Sequence, residues 1–267
     1  MKKFNSNALR ILALLSFILL FLSCNDSDEG QASTSRVDVR MTDAPGDFES
    51  VNVEILDVLI KSNLNADDQG WVSIGNGTPQ IYNLLDLTGG VSILLADHIV
   101  PSGNLGQIRL LLGDDNTVVK DGVTYPLKTP SAQQSGLKLN INTLLQPGVT
   151  YDFLLDFDVE SSVVTTGVPG DFILKPVIRV VSNANSGVIK GTVLPLGIQI
   201  LASVEVNGVV ISSYADAQGH FQLNGVPAGT YTVKLTPDPA SELPIITVEN
   251  VVVINGQITD IGSHVLQ

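Results

Sequence analysis

From Val37 onward no long segment keeps an uninterrupted helical period; the chain runs instead through short stretches rich in Val, Ile, Leu and Thr, stopped at close intervals by Gly, Asn, Asp and Pro. Several of these stretches place apolar residues at every second position. A period of two sends alternate side chains to opposite faces of an extended chain, so each stretch can bury one face and wet the other. That pattern predicts an all-β protein. Val51 to Val58 alternates for most of its length, as do Leu137 to Asn142 and Tyr151 to Glu160. In the last of these Tyr151, Phe153, Leu155, Phe157 and Val159 are expected to point inward. Between Val118 and Tyr125 the dipeptide Asp121-Gly122 sits where a two-residue hairpin turn needs positive φ, which fixes two strands and their register. Leu84 to Leu95 lacks strict alternation and is broken by Gly89-Gly90, so it suits either a strand or a short helical turn or two.

The N-terminus follows different rules. Lys2, Lys3 and Arg10 precede an apolar run of twelve residues, Ile11 to Leu22, and then Ser23 and the only cysteine, Cys24. Twelve residues fall short of the roughly 20 that a spanning helix needs. The arrangement reads as a bacterial lipoprotein signal over 1–23, with Cys24 receiving the lipid and becoming the first mature residue. Phe21 stands where that pattern prefers Leu. With no second cysteine, the chain forms no internal disulfide and no thiolate metal site. Residues 24–35 are polar and acidic, with Asp26, Asp28 and Glu29 close to the cysteine, and lack a hydrophobic period. They are expected to form a disordered tether. Such an acidic cluster beside the acylated cysteine resembles the signal that sends lipoproteins of Bacteroidota to the outer face of the outer membrane; the periplasmic face is the alternative.

Loss of 1–23 would remove three basic residues and no acidic one, leaving 11 basic against 27 acidic residues, a formal charge of −16. A surface of that sign repels nucleic acid and anionic lipid, so the membrane is reached through the anchor alone. The remaining 244 residues suffice for two ordinary β domains, and the short polar stretch Ser182 to Gly187 is the expected boundary between 36–182 and 187–267.

Few residues point to chemistry. Asp156, Asp158 and Glu160 lie at i, i+2 and i+4, so a regular strand would line three carboxylates on the face opposite the apolar stripe. They could collect calcium or serve as an acid/base pair, although three in a row span about 13 Å, too far for one cation without a bend. Pairing with cross-strand bases such as Lys138, Lys175 or Arg179 is the simpler fate. Asn63 to Gly70 has oxygen donors at alternate positions but a late glycine and no closing acid, and reads as a polar hairpin loop. Ser135 and Lys138 have the spacing of serine acyl-enzymes, yet the pattern enters a strand and lacks its companion motifs. His98, His220 and His264 are far apart, which argues against a histidine metal site. Trp71, the only tryptophan, follows the polar loop and is either a sugar platform or a packed side chain.

Two resemblances accompany this reading. Val39-Arg40-Met41-Thr42-Asp43-Ala44-Pro45-Gly46-Asp47, Gln107-Ile108-Arg109-Leu110, Ser135-Gly136-Leu137-Lys138, Asp156-Phe157-Asp158 and Leu174-Lys175-Pro176-Val177-Ile178-Arg179 occur in an order that resembles a bacterial domain of unknown function, family 4382, across about Arg36 to Val181. That family implies no activity. Gly191-Thr192-Val193, Asp216-Ala217-Gln218-Gly219-His220-Phe221 and Val226-Pro227-Ala228-Gly229-Thr230-Tyr231 are similar to the carboxypeptidase regulatory-like domain. This is a small transthyretin-like sandwich grouped with carbohydrate-binding-like folds. It implies an accessory module without peptidase zinc.

The expectation is therefore an all-β chain of two β-sandwich-like domains after a lipoprotein signal and a disordered tether. Its expected role is a non-enzymatic, surface-exposed outer-membrane lipoprotein that binds a ligand, carbohydrate first among ligand classes. Trp71, Asp156, Asp158 and Glu160 are the candidate contacts, and no cofactor or metal is expected. A structural or adhesion component touching another envelope protein through a sheet edge is the alternative, and a hydrolase using Asp156 and Asp158 the third reading.

Overall fold

The computed structural model describes residues 33–44, 46–64, 67–130, 136–182 and 185–267. The signal, Cys24 and the tether as far as residue 32 lie outside the described residues, as do Ser135, the middle of the 63–70 loop and the centre of the 182–187 stretch.

The protein is all-β, as its alternating pattern predicts. Thirteen strands make up the first half: β1 (Thr34–Ala44), β2 (Ser50–Lys61), β3 (Val72–Ser73), β4 (Gln80–Asn83), β5 (Ile93–Pro101), β6 (Gly103–Leu112), β7 (Thr117–Lys120), β8 (Val123–Lys128), β9 (Leu137–Leu145), β10 (Thr150–Asp158), β11 (Val163–Thr165), β12 (Phe172–Leu174) and β13 (Ile178–Ser182). They form a four-stranded sheet in the order β13-β10-β1-β5 and a nine-stranded sheet in the order β11-β12-β8-β7-β2-β6-β9, with β3 and β4 added to β2. Seven more follow: β14 (Gly187–Leu194), β15 (Ile200–Val206), β16 (Val209–Tyr214), β17 (His220–Val226), β18 (Gly229–Pro237), β19 (Ile246–Val253) and β20 (Ile258–Val265). These form a three-stranded sheet, β17-β14-β20, and a four-stranded one, β16-β15-β18-β19.

Each sheet pair has its own core. In the first, β1 lies between β5, antiparallel, and β10, parallel, with Val39 opposite Phe153 and Met41 opposite Leu155. Those residues, with Phe157, join Val51, Val53, Ile108 and Leu110 of the facing sheet in one buried cluster. Full burial of side chains of this size stabilises by about 1.5–3 kcal/mol each. The expected inward stripe of β10 is present: Phe153, Leu155, Phe157 and Val159 are buried, with Tyr151 partly so. Leu154 and Val181 are also buried but belong to neither core, because the opposite face of the four-stranded sheet is covered by the second sheet pair. The second core gathers Ile189, Ala202, Phe221, Val233 and Leu235. Residues Thr34–Gln267 hold together as one compact unit.

Local signals explain the turns. Asp121 and Gly122, at φ 53° and 71°, close the β7–β8 hairpin as their sequence requires, and Asn207 and Gly208, at φ 51° and 83°, do the same for β15–β16. The ambiguous segment resolves as a single 3₁₀ turn, Leu84–Leu87, capped by Asn83 and followed by β5.

Candidate functional site

The expected row of three carboxylates does not form. Asp156 lies on β10 opposite Arg179 of β13, and the two make an ion pair. Asp158 ends the strand: its Oδ1 accepts from the Ser161 amide at 2.9 Å and its Oδ2 from the Ser161 hydroxyl at 2.7 Å, which starts the helical turn Val159–Ser162. An Asp with a Ser three residues later is an N-cap before it is a strand pair. Glu160 therefore rides on a helical turn, exposed, rather than continuing the strand face. The three candidates are placed separately, and Asp156 and Asp158 are each engaged in holding the fold. Among the described residues no group of three or more His, Asp or Glu side chains is arranged to hold a metal ion.

Arg179 does more than answer Asp156. It reaches across to the second sheet pair, donating to the Gly225 carbonyl at 3.1 Å and the Asn224 carbonyl at 2.8 Å. The backbones approach so closely there that a Cβ on Gly225 would lie 2.4 Å from the Val181 side chain. Burial raises the Asp156 carboxyl above its ordinary value, against the opposing pull of Arg179. Tyr214 of β16 faces the same region: burial first, and then the charges of Glu160, Asp47 and Asp238, raise its phenol.

One acidic group escaped the sequence reading. Asp43 takes the fourth place in the inward stripe Val37, Val39, Met41, Asp43 of β1, opposite Phe157. It is 3 % exposed, and neither carboxyl oxygen has a hydrogen-bond partner of good geometry among the described residues. Burial above all, then the charges of Asp156 and Asp158, push its pKa up to about 9, while the Val159 backbone acts in the other direction. Its signal in the sequence was parity: an acid at i+2 from three apolar residues on one strand.

Beside Arg179 a cleft of about 490 Å³ opens between the two sheet pairs. Its walls come from Asn140, Ile141 and Thr143 of β9, Val180 to Ser182 of β13, and Val206, Asn207, Val209 and Ile211 of the β15–β16 hairpin. Both β9 and β13 are terminal strands of their sheets. The wall alternates amide and hydroxyl groups with aliphatic ones, and among the described residues its one charged side chain is Arg179.

Trp71 is elsewhere, on the outer face of the nine-stranded sheet. Register places Lys61, Gln107 and Asn140 in one row across β2, β6 and β9, and Leu59, Arg109 and Lys138 in the next. The core takes Ile108 and Leu110, so parity sends Gln107 and Arg109 outward. Asn63 packs on this face: a Cβ on Gly106 would stand 2.4 Å from the Asn63 carbonyl, so only glycine admits it. The Arg109 guanidinium lies 4.1 Å from the centre of the Trp71 ring, with the Lys61 ammonium at 5.6 Å. Trp71 thus presents its ring to cations of its own chain and is no bare sugar platform. Lys61, 2 % exposed, bonds Asp67, and Asp68 accepts from Arg109 at 2.6 Å and lies 3.1 Å from the Lys138 ammonium. The hydrogen bond from Lys61 holds the Asp67 carboxyl below its usual range, and those from Arg109 and Lys138 do the same for Asp68.

Comparison with known proteins bears on the first sheet pair. The profile of a family described as "Domain of unknown function (DUF4382)" matches residues 34–176, from the start of β1 to just beyond β12. The chain belongs to that family. The matched family segment contains Asp43, the Trp71 cluster and Asp156, and stops just short of Arg179. No curated protein matches the chain. Among solved structures, it is similar to the TIE protein of Bacillus anthracis at 12 % identity, covering 88 % of this chain but 34 % of that one, with a TM-score of 0.22. The major pilin subunit of Bacillus cereus gives 11 % identity, 88 % and 70 % coverage and 0.23. A fimbrial protein of Bacteroides ovatus gives 9 %, 88 % and 50 %, and 0.23. The chain spans about a third of the TIE protein, and scores of this size establish no shared topology.

Proposed function

We propose that this member of the family is a non-enzymatic binding protein of the cell envelope, held to the outer membrane by acyl chains on Cys24 and facing outward, with residues 36–182 and 187–267 as its two domains and carbohydrate as its ligand. The second domain is read as a carboxypeptidase regulatory-like module. What supports the glycan reading is the cleft beside Arg179. Its volume, about 490 Å³, falls within the range of small-ligand sites, and its amides, hydroxyls and single guanidinium match the donors and acceptors of a sugar while the aliphatic patches suit its ring faces. Asp156 and Asp158, the pair a hydrolase would need, are bound to Arg179 and to the Ser161 cap. The test is a glycan array probed with the full-length chain and with Val209→Lys, which sets an ammonium at the mouth of the cleft on an exposed strand position. A sugar signal lost in the variant supports the reading; a signal equal in both refutes it.

A second reading is favoured by one observation, that the cleft runs along the unpaired edges of β9 and β13. An extended segment of another envelope protein could add to such an edge. Recovery of a stoichiometric protein partner, with no glycan signal, would select it. Anchoring and sidedness have their own tests. Cys24→Ala should abolish acylation, and a protein protected when intact cells are treated with protease would favour the periplasmic face.

A further inference from the structure

We propose that Asn76 is a site of covalent self-modification, in which the Gly77 nitrogen closes on the Asn76 side chain and the resulting succinimide hydrolyses to aspartate and isoaspartate. The site stands apart from any ligand of the cleft. In the first step the Gly77 nitrogen loses its proton to solvent base and attacks Asn76 Cγ. The N–Cγ bond forms, the Cγ–Nδ2 bond breaks, and Nδ2 leaves as ammonia with a proton from solvent. Water then adds to either carbonyl of the ring, so a water is taken up and an ammonia released overall. A glycine favours the attack because a Cβ on that residue would crowd its nitrogen.

Four Asn-Gly pairs occur in the chain, at Asn76, Asn207, Asn224 and Asn255, and the fold restrains three of them. Gly256 donates its amide to the Ser186 carbonyl at 2.8 Å and Asn255 Oδ1 accepts from the Ala228 amide at 3.1 Å, so both reacting groups are tied. Asn224 lies within β17: its Oδ1 accepts from Gln222 at 2.7 Å, its carbonyl accepts from Arg179 at 2.8 Å, and Gly225 is pressed on Val181. Asn207 is held at φ 51° in the β15–β16 turn, closed by the pairing of Val206 with Val209. Ring closure rotates an asparagine about its Cα–C bond, and in so tight a turn that rotation breaks the pairing.

Asn76 has none of these restraints. It and Gly77 are exposed, in the segment 74–79 between β3 and β4, and a Cβ on Gly77 would meet nothing within 4 Å. Among the described residues the Gly77 amide donates to no group and Asn76 Nδ2 has no partner, so nucleophile and leaving group are both free. The bond that is present assists the reaction: Asn76 Oδ1 accepts from the Thr78 amide at 3.1 Å, which polarises the carbonyl under attack and holds the oxyanion that forms. Gly75 bridges Ala96 of the edge strand β5, and Asn76, Asp97 and His98 line a cavity of about 290 Å³ there. Modification therefore sets a new carboxylate in that wall and, as isoaspartate, adds a carbon to the main chain at the seam between the two sheets.

The full-length chain is incubated in detergent in mildly alkaline buffer, with and without urea, and peptides taken at intervals are mapped by mass spectrometry, with aspartate and isoaspartate forms separated by chromatography. In urea the four sites should react at similar rates. In the folded chain Asn76 should keep its urea rate to within about threefold, whereas Asn207, Asn224 and Asn255 should fall on the order of tenfold or more below theirs, because reaction there waits for local opening. Thr78→Pro removes the assisting amide and should slow Asn76 in the folded chain by roughly two- to tenfold, measured against the same variant in urea. Unchanged emission from Trp71, the only tryptophan, shows that the variant keeps its fold, and the ranking of the four sites in the natural chain decides the proposal without it. Protection of Asn76 equal to that of the other three overturns the proposal, as does a folded Thr78→Pro chain that reacts at Asn76 as fast as the natural one.

Discussion

Replacing Asp43 with asparagine keeps the shape of the side chain and removes the one proton it can lose. In the unfolded chain an aspartate titrates near about 3.9. In the folded chain burial carries Asp43 to about 9. Below the lower value the group is protonated in both states and pH does nothing to stability through it. Between the two values the unfolded chain has released the proton and the folded chain still holds it, so stability falls as pH rises, by about 1.4 kcal/mol per unit. Above the upper value the slope vanishes. At pH 7 the window has been crossed for about three units, so Asp43 should destabilise the fold by up to about 4 kcal/mol relative to acid conditions. A carboxamide at this position cannot ionise, so Asp43→Asn should be close in stability to the natural chain at pH 4 and progressively more stable than it towards pH 9. Urea unfolding followed by Trp71 emission reads this directly, since Trp71 belongs to the same sheet pair. The other carboxylates are common to both chains and cancel in the difference. A stability difference that stays constant from pH 4 to pH 9 would refute the reasoning, because it would mean that Asp43 is ionised in the fold.

Further substitutions test the packing. Arg179→Ala strands the half-buried Asp156 without its cation and cuts two bonds to the second sheet pair, and should cost about 3 kcal/mol in thermal or urea unfolding. Joint replacement by Asp156→Asn and Arg179→Met should recover much of that loss. Gly106→Ala forces a methyl group against the Asn63 carbonyl, with an expected cost of about 1–3 kcal/mol and a shift in Trp71 emission as the loop lifts. Gly122→Ala strains a position at φ 71° and should cost about 1 kcal/mol by thermal denaturation without disturbing Trp71.

What the sequence disclosed was local. The alternation of β2 and β10 announced strands, and Asp121-Gly122 fixed a hairpin, because both signals act within a few residues. The carboxylate row failed for an equally local reason: alternation says which face a side chain takes while the strand lasts, and Asp158 with Ser161 ends the strand. Other features depend on distant partners. Nothing near Trp71 in the chain says that Arg109 will lie on its ring, since the contact joins Trp71 to a residue of β6 far along the chain. Nor does the run around Arg179 show that it will bind carbonyls some 45 residues on. Asp43 was legible in principle from the parity of β1, but its depth depends on β10, more than 100 residues away.

The place of β1 has a mechanical meaning. The chain enters the folded unit at Thr34, the first residue of a strand hydrogen-bonded on both sides, to β5 and to β10. A pull applied through the preceding residues runs along that strand, so both ladders resist in shear, many bonds sharing the force, instead of parting one bond at a time as an edge strand would when peeled. Forced unfolding is governed by the rate of leaving the native state. A protein held by its N-terminus against drag is thus gripped at the interior strand of its sheet.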